Sequence, residues 1–141
     1  MILGSHLIKG WSVTQAVIAL SSGEAEYYGI VKGASTGLGI SSVLSDLGCQ
    51  VKVVIHTDSS AAKSLASRKG LGKARHIHVN QLWVQEKVGD GVLEVRKVKG
   101  TDNIADALTK YVDAEALHAH MSLTRQEARP GRHDLMPRAV S

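Results

Sequence analysis

Two short runs rich in β-branched residues, separated by helical patterns, constrain this chain more than any other feature. The runs are Val51–His56 (VKVVIH) and Val92–Val98 (VLEVRKV), and both have the length and composition of strands. Between them, apolar residues recur at helical spacing from His76 to Val88. Strands that alternate with helices in this way predict an α/β fold with a mixed sheet.

The remaining elements are predicted from turn and capping signals. Their bounds in chain order are strands Met1–Ile8 and Trp11–Leu20, a helix from Ser21 to Leu47 stopped by Gly48, strand Val51–His56, helices Ser60–Arg68 and His76–Val88, strand Val92–Val98, and a last helix from Asp102 through Leu117. The stretch from Ser21 to Leu47 is either one helix or two, since Gly33, Gly37 and Gly39 weaken its middle. The chain then turns polar and basic, which predicts a disordered tail over residues 118–141.

Composition narrows the class of protein. A length of 141 residues favours one domain, and a net charge of +4 suits a polyanionic partner such as nucleic acid, although many basic proteins bind none. Cys49 is the single cysteine, so no intramolecular disulfide forms and an intracellular compartment is expected. No apolar run approaches the roughly 18 residues that span a membrane.

Two acidic residues at element ends have both a structural and a functional interpretation. Asp58 follows the strand VVIHT, at the carboxyl end where sites form in open α/β sheets; alternatively it caps the next helix, as Ser59 also can. In LSSGEAEYYG, Ser21 and Glu24 have the spacing of a capping box, which assigns Glu24 to the helix start. Glu26 is then either a solvated acid favoured by the helix dipole or a metal ligand.

Asp106 is a third acid of this kind, in TDNIADALTK, where Asp102 and Asn103 already supply caps. It either complements a helix dipole or binds a metal. Two carboxylates about 4 Å apart repel by about 4 kcal/mol at an effective dielectric of about 20, and a divalent cation reverses that sign. Three spare acids from separate elements therefore suggest a Mg²⁺ site, in which two ions can bridge a scissile phosphate.

A basic loop follows the second predicted helix. Its residues are Lys63, Arg68, Lys69, Lys73 and Arg75, around Gly70–Gly72. The loop is either simply solvated or a phosphate-contacting patch beside Asp58, in which each contact adds salt-dependent affinity. His76 and His78 diverge on a helix and have no cysteine near them, so they do not predict zinc.

Four segments, LSSGEAEYYG, VIHTDSSAAKSLASRKG, KARHIHVNQLWVQEKV and KVKGTDNIADALTK, occur in this order. Together they resemble the ribonuclease H domain of copia-type LTR retrotransposon polyproteins, over residues 1–117. The resemblance implies an RNase H-like fold that cleaves the RNA strand of RNA–DNA hybrids with four carboxylates and two Mg²⁺ ions, for which Mn²⁺ can substitute. Glu26, Asp58 and Asp106 are similar in position to three of those carboxylates.

The resemblance also implies partners and a binding surface. The expected partners are an RNA–DNA hybrid and the reverse transcriptase and integrase regions of a parent polyprotein, in a cytoplasmic particle or the nucleus and with no membrane. The family places an R/K-H-I unit where this chain has Arg75, His76 and Ile77. The predicted substrate-binding residues are Ser59, Lys63, Arg68, Lys69, Lys73, Arg75 and His76.

Two departures from the family pattern bear on activity. The family's first carboxylate lies on an opening strand, in a DADWAG-like segment, whereas residues 1–20 contain neither Asp nor Glu. The domain over residues 1–117 is therefore expected to be partial, with its first strand absent, an open sheet edge and a weakened metal site. Related ribonucleases H also place a histidine before the last helix, where this chain has Lys97–Gly100 (KVKG).

Three functions remain as hypotheses. The first is a two-metal ribonuclease H with Glu26, Asp58 and Asp106 as metal ligands. The alternative is a catalytically inactive RNase H-like remnant that binds nucleic acid or is structural only. An integrase core of the same superfold is a third, but its D…D…E order does not match the order found here.

Overall fold

The computed structural model describes residues 1–70, 72, 77, 79–108, 110–127 and 131. In chain order the elements are strands β1 (Ile2–Leu3) and β2 (His6–Leu7), helix α1 (Ser22–Asp46), strand β3 (Val53–Thr57), helices α2 (Ser60–Ser67) and α3 (Trp83–Gly89), strand β4 (Leu93–Lys97) and helix α4 (Ala114–Leu123), with 3-10 turns at Val79–Gln81, Gly100–Asp102 and Ile104–Leu108. The predicted α/β class is confirmed. Within the described residues, no helix has the length and apolar character to cross a membrane.

The chain divides into two units. One is Ser12–Asp106, and the other is Met1–Trp11 with the described part of Ala107–Ser141. Each unit contains its own two-stranded sheet, parallel in the first and antiparallel in the second. The sequence predicted one mixed sheet, with both parallel and antiparallel pairs. Both kinds of pair are present, but they occur in two separate sheets.

Helix α1 begins where the capping box predicts it. Ser21 is the N-cap, and its hydroxyl accepts a hydrogen bond from the Glu24 amide at 3.3 Å. The Glu24 carboxylate accepts the Leu20 amide at 2.9 Å, which satisfies another donor at the helix start. The helix continues unbroken to Asp46, and Gly48 follows it with a φ of +81° that favours glycine.

Helix α1 packs closely on β3 because glycines lie at the contact. A Cβ atom at Gly37 would lie 2.8 Å from Val53 Cγ1, and one at Gly33 would lie 3.5 Å from Ile55 Cδ1. Gly37 comes after Gly33 in the helix, but it contacts Val53, which comes before Ile55 in the strand. Helix α1 therefore runs antiparallel to β3. The start of α1 therefore lies at the carboxyl end of the strand.

Strands β3 and β4 pair in parallel, with Val53 opposite Leu93 and Thr57 opposite Lys97. The connection between them carries α2 and α3, as a parallel crossover requires. The apolar core of this unit joins both strands to the three helices and to one residue between α2 and α3. Its buried members are Tyr27, Tyr28, Ile30, Ala34, Ala62, Leu65, Ala66, Ile77, Val84, Leu93 and Val95.

In the smaller unit, β1 and β2 form a hairpin that turns at Gly4, where φ is +61°. The Leu7 amide donates to the carbonyl of Thr124, just after α4, at 3.2 Å. Helix α4 begins after Asp113, whose carboxylate accepts the Ala116 amide at 2.7 Å. This unit is held by local pairing and one cap rather than by the large apolar core.

The structure corrects the two strands predicted before α1, Met1–Ile8 and Trp11–Leu20, which would have formed a hairpin. Trp11–Leu20 does not form a strand, and the only strands before α1 are the two short ones within residues 1–8. Ile18 is 88% exposed and Leu20 is 70% exposed, so their apolar side chains do not pack into the core. A strand needs a pairing edge as well as a suitable composition, and this segment has no ladder partner among the described residues.

The later helices also differ from their predicted bounds. From Val79 onward the predicted helix His76–Val88 is a 3-10 turn followed by α3, and its residues His76 and His78 lie outside the described residues. The predicted helix from Asp102 through Leu117 is not continuous: 3-10 turns occupy its first part, and α4 contains its last residues from Ala114. The Asn103 side chain accepts the Ala105 amide at 3.2 Å and closes a short turn. The tail predicted over residues 118–141 overlaps α4, which extends to Leu123, and its residues 128–130 and 132–141 lie outside the described residues.

Candidate functional site

The carboxyl edge of the parallel sheet brings together the ends of several elements. β3 and β4 both stop there, and beyond them the Val98 amide donates to the Thr57 carbonyl at 2.9 Å. The first turn of α2 meets the first turn of α1, since a Cβ at Gly23 would lie 2.9 Å from Ala61 Cβ. Two strand ends and two helix starts therefore converge, which is where open α/β sheets form sites.

Asp58 lies at this edge and does not cap α2. Ser59 is the cap, because its hydroxyl accepts the Ala62 amide at 3.1 Å and its own amide donates to Thr57 Oγ1 at 3.1 Å. The structure thus resolves the alternative that the sequence left open. The Asp58 side chain is half-buried, and no described residue donates a hydrogen bond to it.

The segment after β4 passes over this carboxylate. A Cβ atom at Gly100 would lie 3.8 Å from Asp58 Oδ2, so the Gly100 backbone closely approaches the carboxylate. A half-buried carboxylate that receives no hydrogen bond from the described residues can be stabilised by a nearby cation. The oxygen chemistry of Asp58 therefore fits a hard cation such as Mg²⁺.

The two glutamates of α1 have different environments. Glu24 is 6% exposed and belongs to the capping box, as predicted. Glu26 is exposed and lies seven residues before Gly33, on the same helix face as the glycines that pack on β3. It therefore continues the sheet-facing side of α1 past the end of the strand, toward the edge that carries Asp58.

Asp106 lies in the 3-10 turn Ile104–Leu108 and is half-buried. The Asn103 side-chain amide donates to Asp106 Oδ1 at 3.5 Å, a long contact that orients the carboxylate weakly. Glu26, Asp58 and Asp106 thus come from three elements of one unit. Among the described residues, however, no group of three or more Asp, Glu, His or Cys side chains has the geometry to hold a metal ion.

The predicted substrate-binding residues are only partly described. Lys63 and Arg68 are half-buried, Lys69 is exposed, and the Ser59 hydroxyl is engaged as the α2 cap. Lys73, Arg75 and His76 lie outside the described residues. Their predicted role stays a prediction.

Sequence reasoning missed Lys97 as a candidate. It is the last residue of β4 and pairs in register with Thr57, next to Asp58. Its ammonium group donates to the hydroxyl of Ser60, the first residue of α2. The available signal was its position at a strand end, because parallel strands end at the same edge.

A buried tyrosine lies close to the basic loop. Tyr27 is fully buried, and its hydroxyl donates to the Gln81 carbonyl at 2.8 Å. Burial raises the pKa of Tyr27 to about 12, against the opposing effect of the positive charge on Arg68. The phenol is therefore neutral across the physiological range and serves as a structural hydrogen-bond donor.

Over most of its length the chain is similar to retrovirus-related Pol polyproteins from plant transposons. It is 34% identical over 107 residues to the Retrovirus-related Pol polyprotein from transposon TNT 1-94 of Nicotiana tabacum, covering 74% of this chain and 8% of that protein. The corresponding polyprotein from transposon RE2 of Arabidopsis thaliana is 33% identical over 111 residues, covering 77% of this chain and 8% of that protein.

A third relative, from transposon RE1 of Arabidopsis thaliana, is 32% identical over 117 residues, covering 81% of this chain and 8% of that protein. The chain thus spans about 8% of the length of these curated relatives. No protein-family model matches it, and no solved structure matches it significantly. The predicted homology to retrotransposon polyproteins is confirmed, whereas the ribonuclease H assignment stays a prediction.

Proposed function

We propose that this chain, which is homologous to a segment of retrotransposon Pol polyproteins, is an RNase H-like domain that hydrolyses the RNA strand of RNA–DNA hybrids. The observation that carries the proposal is the position of Asp58. It follows a parallel strand at the sheet edge where strand ends and helix starts converge, it does not cap α2, and no described residue donates a hydrogen bond to it. The motif resemblance supplies the reaction.

The proposed ligands of Mg²⁺ are Asp58, Glu26 and Asp106. Mg²⁺, when bound, would supply Lewis acidity at the scissile phosphodiester. In this proposal Asp58 anchors the site from the strand end, α1 supplies Glu26, and the 3-10 turn after β4 supplies Asp106. Because these side chains are not gathered into a metal-binding cluster, they must move together before cleavage.

The proposed binding surface for the hybrid consists of the cations on α2 and in the loop that follows it. Lys63, Arg68 and Lys69 contact phosphates, with Lys73, Arg75 and His76 as further expected contributors. Such contacts recognise backbone shape and 2′-hydroxyls rather than base sequence. The proposed partners beyond the hybrid are the reverse transcriptase and integrase regions of a parent polyprotein, and the proposed location is intracellular.

A second candidate is an inactive RNase H-like remnant that binds nucleic acid. It is favoured by the absence, among the described side chains, of a ready-made three-ligand cluster. The two candidates share the binding surface and differ in whether the carboxylates perform chemistry.

A cleavage assay separates them. The full chain would be incubated with an end-labelled RNA–DNA hybrid and Mg²⁺, alongside Asp58→Asn and the control Asp46→Asn. Asp46 is the last residue of α1, at the opposite end of the helix from Glu26. Circular dichroism would verify that all three proteins are folded, and hybrid binding in EDTA would be measured in parallel.

The expected result is metal-dependent cutting of the RNA strand by the wild type and by Asp46→Asn, with none by Asp58→Asn. Equal cutting by Asp58→Asn would contradict the proposal. A folded wild type that binds the hybrid without cutting it would support the inactive remnant. No binding by any variant would contradict both candidates.

A further inference from the structure

A buried glutamine in α3 holds the end of α2 and the loop that follows it. Gln85 is 8% exposed, and both ends of its amide group are used. Its Oε1 accepts the Gly70 amide at 2.8 Å, and its Nε2 donates to the Gly70 carbonyl at 3.1 Å and to the Leu65 carbonyl at 2.8 Å. The amide group of Gln85 thus both accepts from and donates to the backbone of Gly70.

The contact with Leu65 satisfies a carbonyl that the helix leaves open. α2 ends at Ser67, and Arg68 is already extended, with φ −95° and ψ 169°. The last four carbonyls of a helix have no intrahelical partner, and that of Leu65 lies within this last turn. Gln85 therefore caps α2 from another helix.

Two cationic residues lie between Leu65 and Gly70, the two residues that Gln85 binds. Between Leu65 and Gly70 the chain carries Arg68, which is half-buried, and Lys69, which is exposed. Gly70 has a φ of +80°, a conformation that favours glycine, and Gln85 binds both its amide and its carbonyl. The direction in which the chain leaves α2, and so the position of Lys69, is fixed through Gln85.

We propose that Gln85 is a positioning residue for nucleic-acid binding, which presents Lys69 to a phosphate of the hybrid backbone. This inference rests on the function proposed above. A loop held in place before binding loses less conformational freedom on contact with phosphate than a loop that must first become ordered. Gln85 acts through the loop and does not touch the nucleic acid.

A double-mutant cycle tests this coupling. The proteins are the wild type, Gln85→Met, Lys69→Ala and the double variant, and the probe is an end-labelled RNA–DNA hybrid in EDTA over a series of salt concentrations. Gln50→Met is the matched control, since Gln50 is an exposed glutamine whose amide donates to Ser45 Oγ at 3.0 Å. Circular dichroism gives the folded fraction of each.

The expected result is that Gln85→Met weakens hybrid binding about threefold to tenfold in the wild-type background and leaves it unchanged when Lys69 is already alanine. The salt dependence should also become shallower, by the equivalent of about one phosphate contact, in every variant that loses the Lys69 contact. Gln50→Met should bind as the wild type does.

A merely structural role of Gln85 gives a different pattern. An equal loss of affinity in both backgrounds, or no loss in either, overturns the inference. If Gln85→Met is unfolded, Gln85→Asn takes its place in the cycle, because it keeps a neutral amide but is one methylene too short to hold Leu65 and Gly70 together. A wild type that binds no hybrid overturns the proposed function together with this inference, whereas binding that falls with Lys69→Ala but not with the Gln85 variant overturns this inference alone.

Discussion

The Gly100 backbone lies directly against the Asp58 carboxylate, so that a methyl group at position 100 would be 3.8 Å from Asp58 Oδ2. The two residues follow neighbouring parallel strands, β3 and β4, which end at the same edge. The space beside the carboxylate is therefore bounded by backbone on the Gly100 side. This proximity makes Gly100 a probe of what the carboxylate binds.

Gly100→Ala is expected to preserve the fold and impair the site. A separation of 3.8 Å is an ordinary van der Waals contact, so the free energy of unfolding should change by less than about 0.5 kcal/mol. The added methyl occupies space in which a ligand of Asp58 would be bound, so half-maximal cleavage should require more Mg²⁺. Chemical denaturation and a metal titration of cleavage measure the two effects, and an unchanged metal requirement would contradict the assignment of Asp58.

The two glutamates of α1 provide a matched pair. Glu24→Gln should keep cleavage, because glutamine also serves at this position of a capping box. Glu26→Gln should keep stability and lose cleavage, since an amide is a poorer ligand for a hard cation. Thermal unfolding and the hybrid cleavage assay, applied to both variants, measure this difference. The reverse pattern would exchange the roles assigned to the two residues.

Local signals in the sequence predicted the ends of α1 well, whereas the metal-binding roles of Glu26 and Asp58 stay predictions. Ser21, Glu24 and Gly48 define the ends of α1 through hydrogen bonds and backbone conformations that involve only near neighbours. Asp58 was identified because strand ends are recognisable from the run VVIHT. Such features depend on a few adjacent residues, so a single sequence is enough to detect them.

Features that depend on distant parts of the chain were not predicted. Gln85 binds Leu65 and Gly70, which are 20 and 15 residues away, and the sequence contains no local sign of that pairing. The Trp11–Leu20 strand was wrong for the related reason that a strand requires a partner supplied by the rest of the fold. The contact of Lys97 with Ser60 was missed because the two residues are 37 positions apart in the chain.

The close contact between α1 and β3 predicts opposite effects for two glycines of one helix. Gly37→Ala should destabilise the fold by about 1–2 kcal/mol, because the new Cβ would lie 2.8 Å from Val53 Cγ1 and the strain exceeds the gain in helix propensity. A Cβ atom at Gly39 would meet no atom within 4 Å, so Gly39→Ala should stabilise the fold by about 0.5–1 kcal/mol. Urea denaturation gives both values.

Val53→Ala supplies the control for the Gly37 prediction, since it removes the Cγ atoms that the new methyl would meet. The double variant should therefore be more stable than the sum of the two single changes implies. If the two changes in unfolding free energy were simply additive, the destabilisation by Gly37→Ala would come from something other than the contact with Val53.

The buried Tyr27 predicts a loss of stability at alkaline pH. Burial raises its pKa from 10.0 to about 12, so the folded state favours the neutral phenol. This contribution is fully present below about pH 10 and is lost as the pH rises through about 12. Tyr27→Phe should flatten the pH dependence of stability in that range, at a cost of about 1 kcal/mol near neutrality from the lost hydrogen bond to Gln81.

Spectrophotometric titration of the tyrosines checks this assignment, because Tyr27→Phe should remove the phenol that ionises last. Tyr111→Phe is the control, since Tyr111 is 98% exposed and its loss should leave the late ionisation in place. A late ionisation that survives in Tyr27→Phe would contradict the prediction.

The stability of the fold at acidic pH should depend in part on Glu94, which lies in β4 on the exposed face of the parallel sheet. Arg96 Nε lies 2.5 Å from Glu94 Oε1, and Lys52 Nζ lies 2.6 Å from Glu94 Oε2. The hydrogen bonds from Arg96 and then Lys52 lower the pKa of Glu94 from 4.5 to about 2. The stabilisation is therefore present above about pH 4.5 and is lost as the pH falls through about 2.

Glu94→Gln should reduce the loss of stability between these two pH values, and the effect should be small because exposed ion pairs are screened by solvent and salt. Urea midpoints at about pH 6 and about pH 3, for the wild type, Glu94→Gln and the control Glu86→Gln, measure it. Added salt should narrow the difference between the wild type and Glu94→Gln. If the acid-induced loss were the same in all three proteins, the stabilisation would have to come from carboxylates other than Glu94, and the Lys52–Glu94–Arg96 cluster would be only a contact of the surface.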